Sequence, residues 1–86
     1  MTPAEAQRLQ DGARAAGDWL IWFVTNDPDH PGRVVAWAVK ADSSGGKRRG
    51  ELVADMLDEL RAMLPAGLTR RDRTSAMPIT VLETWD

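Results

Sequence analysis

The chain has 86 residues, a formal net charge of -2 and 43% hydrophobic residues, the balance of one small globular domain rather than of a disordered or fibrous chain. It contains no cysteine, which excludes disulfides, thiolate catalysis and zinc sites built on sulfur. The small charge gives no overall attraction to nucleic acid or to an anionic membrane. The absence of cysteine favours a cytoplasmic protein, and the short apolar runs predict no membrane span.

The first predicted element is a helix within residues 1–17. Thr2 is suited to the N-cap, Pro3 to the first helical position, and Glu5 completes a capping box. Gly17 is a suitable residue to end the helix. The apolar stripe of this helix is narrow and consists mainly of alanines, so we expect it to dock weakly.

A β-hairpin is predicted over residues 18–41. Residues 18–25 are almost continuously apolar and rich in aromatic and branched side chains, which is typical of a central strand. Residues 26–32 are dense in turn formers. Residues 33–41 then resume as a second strand with alternating apolar side chains.

The second half of the chain predicts a helix and a strand. After a polar loop over residues 42–50, apolar residues recur with helical spacing over residues 51–64. Pro65 and Gly67 end this helix. An Arg-rich connection follows, and the alternation within residues 78–85 predicts a closing strand.

Together these elements predict an α+β domain, with an N-terminal helix followed by a β-β-α-β unit and a three-stranded sheet. Strand one is expected in the centre, because it alone is apolar on both faces. The second helix covers one face, and the first helix is the candidate cover for the other. Because that cover is thin, the tryptophan rings either lie flat over a small core beside the first helix, or Trp19, Trp22 and Trp37 contact a protein partner or a second copy. The second interpretation is the one that would matter for function.

Two clusters of charged residues also suggest binding surfaces. Glu51, Asp55, Asp58 and Glu59 are predicted to share the outer face of the second helix, either as a solvated face or as a docking ridge for a basic partner. The cationic run before that helix is an alternative anion site, or a solvated loop, and departs from the phosphate-binding loop pattern. That run consists of Lys47, Arg48 and Arg49.

No catalytic, metal or cofactor site is predicted. His30 is the single histidine, and it lies in an Asp- and Pro-rich turn without a nucleophile motif nearby. We therefore expect a protein that is not an enzyme.

Residues 18–86 resemble short uncharacterised proteins of proteobacteria and their phages. The resemblance rests on the hairpin with Trp22 and Trp37, the helix that ends at residues 61–68, and the closing segment 78–85. It implies no chemistry and no site residues. The phage association suggests, by analogy, an inhibitor that binds a host defence protein of the CRISPR or restriction class.

The expected function is therefore protein–protein interaction, in one form as an inhibitor of a nucleic-acid-handling host complex. A nucleic-acid-binding accessory domain that uses the cationic run is the first alternative, although nucleic acid is not the expected partner. A homodimeric domain is the second alternative.

Overall fold

The computed structural model of the chain describes residues 1–41 and 47–86. These residues form two helices and five strands. Residues 42–46 of the predicted polar loop lie outside the described residues. In chain order the elements are α1 (Pro3–Ala15), β1 (Leu20–Asn26), β2 (Val34–Lys40), β3 (Arg49–Ala54), α2 (Leu57–Met63), β4 (Arg70–Asp72) and β5 (Val81–Trp85).

The strands form one antiparallel sheet in the order β3-β2-β1-β5-β4, with β1 in the middle. The domain is α+β, but the prediction of a three-stranded sheet is wrong. Strand β3 takes up the beginning of the helix predicted over residues 51–64, and β4 lies in the segment predicted as a connection. The closing strand is also shorter than the predicted 78–85.

Strand β3 forms because residues 49–54 can pair with β2 and still bury apolar side chains. Leu52 pairs with Ala36, and Val53 pairs with Val35. Leu52 and Ala54 are both buried, two residues apart as the period of a strand requires, whereas residues two apart in a helix lie on different faces. The register shifts near Gly50, whose φ of 64° suits glycine. Helix α2 is therefore only seven residues long.

Helix α1 begins with the capping box that the sequence predicts. The Glu5 N–H donates to the Thr2 hydroxyl, and the Thr2 N–H donates to the Glu5 carboxylate. Pro3 occupies the first helical position. Gly17, with a φ of 75°, then turns the chain towards β1 in a conformation that costs other residues free energy.

Both helices pack on the same face of the sheet. Leu9 and Ala13 of α1 and Leu60 of α2 join one core cluster with Trp22 and Leu52. Buried Trp22 donates its indole N–H to Gln10 of α1 at 2.8 Å, so the largest core side chain has its polar atom paired. The expectation that α1 covers the face opposite α2 is therefore wrong.

Candidate functional site

The other face of the sheet carries aromatic and branched side chains. The alternation of β1 and β2 places Ile21 and Phe23 on this face beside Val39 and Trp37, their pairing partners. The N–H of Ala41 donates to the carbonyl of residue 19 at 2.7 Å, so pairing extends beyond the end of β1. Residue 19 thus lies on the same face as residues 21 and 23.

This face has a closed end and an open end. Thr25 and Val35, near the β1–β2 loop, are buried. Towards the other end of β1 the apolar side chains are half-buried, and Trp19 is 59% exposed. We call this open end the aromatic patch. It consists of Trp19, Ile21, Phe23, Trp37 and Val39.

Two stacked rings form the centre of the aromatic patch, and a guanidinium lies against one of them. The rings of Phe23 and Trp37 stack with centroids 6.1 Å apart and an interplanar angle of 17°. The guanidinium carbon of Arg48 lies 3.8 Å from the centroid of the Trp37 ring, within the range of a cation–π contact. The indole thus has an aromatic neighbour and a cationic neighbour.

Side chains of the β1–β2 loop contact β3 and the residue before it. Asp27 lies 3.7 Å from Arg48, and its side chain is only 10% exposed. His30 Nε2 lies 2.7 Å from a carboxylate oxygen of Glu51. These two contacts hold the loop against the β3 side of the sheet, and the first keeps Arg48 over Trp37.

The side chain of Glu83 on β5 is buried in the core. Arg61 of α2 donates from Nε and Nη2 to the two carboxylate oxygens of Glu83, and Trp85 donates its indole N–H. Burial alone raises the pKa of Glu83, but the hydrogen bonds from Arg61 and Trp85 and the charges of Arg61 and Arg70 outweigh it and lower the pKa below its ordinary value. This network fastens α2 to β5.

The tryptophans predicted to bind a partner lie on opposite faces of the sheet. Trp19 and Trp37 lie together in the aromatic patch, but Trp22 is completely buried and cannot contact a partner in the folded protein. The reason is the strand period, since residues 19 and 22 differ by an odd number.

The four carboxylates predicted to share one helix face lie on separate elements. Glu51 lies on β3 and Asp55 in the following turn, where it pairs with Arg33 at 3.1 Å. Asp58 and Glu59 are in the first turn of α2. The predicted ridge was wrong because residues 51–54 form a strand, to which the helical period does not apply.

The cationic run is likewise divided. It leads into β3, whose first residue is Arg49, and not into a helix, so the helix dipole that would favour an anion there is absent. Arg48 lies over Trp37, whereas Arg49 pairs with Ala38 and lines a hollow beside α1 on the helix side. Lys47 is exposed. The three cations therefore do not form one anion site.

Sequence reasoning missed the contributions of Phe23, Arg48 and Asp27 to the patch. The alternation of β1 contained the signal for Phe23, because residues 19, 21 and 23 share one face once β1 is treated as a strand. The contacts of Arg48 with Trp37 and Asp27 depend on the path of the β1–β2 loop, which has no comparable period.

The described residues contain no group of three acidic or histidine side chains that could hold a metal ion. No helix among them is long and apolar enough to cross a membrane. Comparison with family models, curated proteins and solved structures finds no match to this chain.

Proposed function

We propose that this chain is a protein-binding domain without catalytic chemistry and that the aromatic patch is its contact surface. The observation that carries the proposal is the stack of Phe23, Trp37 and Arg48 on a sheet face opposite both helices. Both helices are used to build the core on the other face. The patch is therefore an apolar surface that neither helix covers and that an outside partner could contact.

The composition of the patch suits a protein partner. Tryptophan and arginine are enriched among the residues that dominate protein–protein binding energy. Trp37 and Arg48 are preorganised, because Phe23 holds the indole and Asp27 holds the guanidinium. Such positioning reduces the entropy that is lost when a partner binds.

The same geometry disfavours a single-stranded nucleic acid. A base that stacked on the Arg48 side of Trp37 would have to displace the guanidinium from the ring. Asp27 and Glu51 beside it would repel phosphates, and they already pair with Arg48 and His30. The cation that a phosphate would need is thus engaged within the domain.

The proposal is tested by affinity capture from a nuclease-treated lysate of the source organism. The tagged parent chain is compared with Trp37→Ser and with Ile79→Ser, a matched control whose side chain is 89% exposed in the loop before β5. We expect one protein to be retained by the parent and by the control and lost with Trp37→Ser. The same protein, purified separately, must then bind the parent directly.

Sedimentation of the purified chain accompanies this experiment, because a second copy could also occupy the patch. A dimer that Trp37→Ser dissociates would assign the patch to self-association and contradict an outside partner. Binding that disappears after nuclease treatment and weakens steeply with salt would instead indicate nucleic acid.

A further inference from the structure

A hollow of about 280 Å³ lies on the helix side of the domain, away from the aromatic patch. Helix α1 forms one wall, and the ends of β1 and β3 contribute the rest. Within α1 the spacing of four places residues 8 and 12 on one line of the helix surface and residues 9 and 13 on the next. The lining residues are Arg8, Leu9, Gly12, Ala13, Asp18, Leu20 and Arg49.

Two arginines, Arg8 and Arg49, line the hollow. Arg8 and Arg49 make no ion pair and no side-chain hydrogen bond with any residue among 1–41 and 47–86, whereas other arginines of the domain are paired. Asp18 also lines the hollow, but Lys40 neutralises it at 3.4 Å. The lining therefore keeps a net positive charge.

The rest of the lining is apolar and leaves space. Leu20 is buried beneath the hollow, with Leu9 and Ala13 half-buried beside it. A side-chain carbon placed on Gly12 would meet no atom within 4 Å, so glycine leaves this wall open. An apolar body could lie on this surface with its anionic group towards the two guanidiniums, which suit oxyanions.

We propose that the hollow binds a small organic anion: a compact apolar body that carries a phosphate, sulfonate or carboxylate group. Arg8 and Arg49 hold the anionic group, and Leu9, Ala13 and Leu20 contact the apolar body. A volume of about 280 Å³ lies just below the usual range of about 300–1,000 Å³ for small-molecule pockets, which suits a ligand the size of a single substituted ring. This site is independent of the function proposed for the aromatic patch.

Phenyl phosphate is the probe, and amide chemical shifts of the ¹⁵N-labelled full chain are the readout. Saturable shifts are expected at Leu9, Gly12, Ala13 and Leu20. Inorganic phosphate, which lacks the ring, is expected to bind more weakly at the same amides. Binding of the two probes with equal affinity would overturn the proposal, because the apolar lining would then contribute nothing.

Variants identify the groups that hold the anion. Arg8→Gln and Arg49→Gln are each expected to weaken phenyl phosphate binding about fivefold or more, as expected for the loss of a charge-assisted hydrogen bond near solvent. Arg71→Gln is the matched control, because Arg71 lies on β4 and pairs with Asp86. Parent-like binding by both Arg8→Gln and Arg49→Gln, or shifts that cluster elsewhere, would also overturn the proposal.

Discussion

Arg61 of α2 and Glu83 of β5 form a two-pronged ion pair between the helix layer and the sheet. The Glu83 side chain is only 4% exposed, whereas the Arg61 side chain reaches solvent with 34% exposure. Strand β5 pairs with β1, which carries part of the aromatic patch on its other face. The pair therefore holds the short helix α2 against the strands that support the proposed binding surface.

Glu83→Gln is expected to destabilise the fold by about 2 kcal/mol at neutral pH, because it removes one charge of a buried pair. This cost is smaller than the roughly 3–5 kcal/mol for breaking a fully buried ion pair, because water can still hydrate Arg61. Urea unfolding followed by tryptophan fluorescence measures the change. Asp58→Asn is the matched control, because Asp58 also pairs with Arg61 but is 90% exposed, and its loss should cost no more than about 0.5 kcal/mol.

The lowered pKa of Glu83 predicts the direction of the acid dependence. A carboxyl group with a lower pKa in the folded state adds stability above its unfolded pKa of about 4.3, and that contribution is lost as the pH falls towards the folded pKa. The free energy of unfolding should therefore fall below about pH 5 more steeply in the parent than in Glu83→Gln. Parallel curves for the two proteins between pH 5 and pH 3 would show that Glu83 does not contribute in this way.

Gln10→Met is expected to cost about 1–3 kcal/mol, because it leaves the buried indole N–H of Trp22 without an acceptor. In a Trp22→Phe background the same substitution should cost much less, since no N–H then needs a partner. Unfolding measurements on the two single variants and the double variant give the coupling free energy. A coupling near zero would mean that the hydrogen bond does not stabilise the fold.

Alanine substitutions at Gly12 and at Gly17 should change the free energy of unfolding in opposite directions. Gly12 lies inside α1 with open space around it, so Gly12→Ala should stabilise the protein by about 0.5–1 kcal/mol. Gly17 has a φ of 75°, so Gly17→Ala should destabilise it by about 1–2 kcal/mol. Thermal unfolding of both variants tests the pair, and shifts of the same sign would contradict the helix end described here.

Local sequence signals predicted parts of the fold well. The capping box of Thr2 and Glu5 defines the beginning of α1, because caps depend on residues three apart. The pattern of residues 51–54 fits two structures, because Leu52 is two residues from Ala54, as in a strand, and four residues from Met56, as in a helix. Strand β4 could not be predicted, since its three charged residues carry no apolar pattern and form a strand only by pairing with β5.

The aromatic patch was predictable only in part. The abundance of tryptophan indicated a binding surface, but the strand period had to be applied to separate exposed Trp19 from buried Trp22. Which sheet face stays open depends on where α1 docks, and its weak apolar stripe does not settle that choice. The contact of Arg48 with Trp37 is tertiary and has no signal in the sequence.

Titration calorimetry with the purified partner tests the proposed function of the patch most directly. Removing a preorganised tryptophan from the centre of an interface costs about 2 kcal/mol or more, which is roughly a 30-fold loss of affinity. We expect a loss of this size for Trp37→Ser, a smaller loss for Arg48→Met, which leaves the sheet intact, and parent-like affinity for Ile79→Ser. Parent-like affinity of both Trp37→Ser and Arg48→Met, with their folds confirmed by circular dichroism, would contradict the assignment of the aromatic patch as the binding surface.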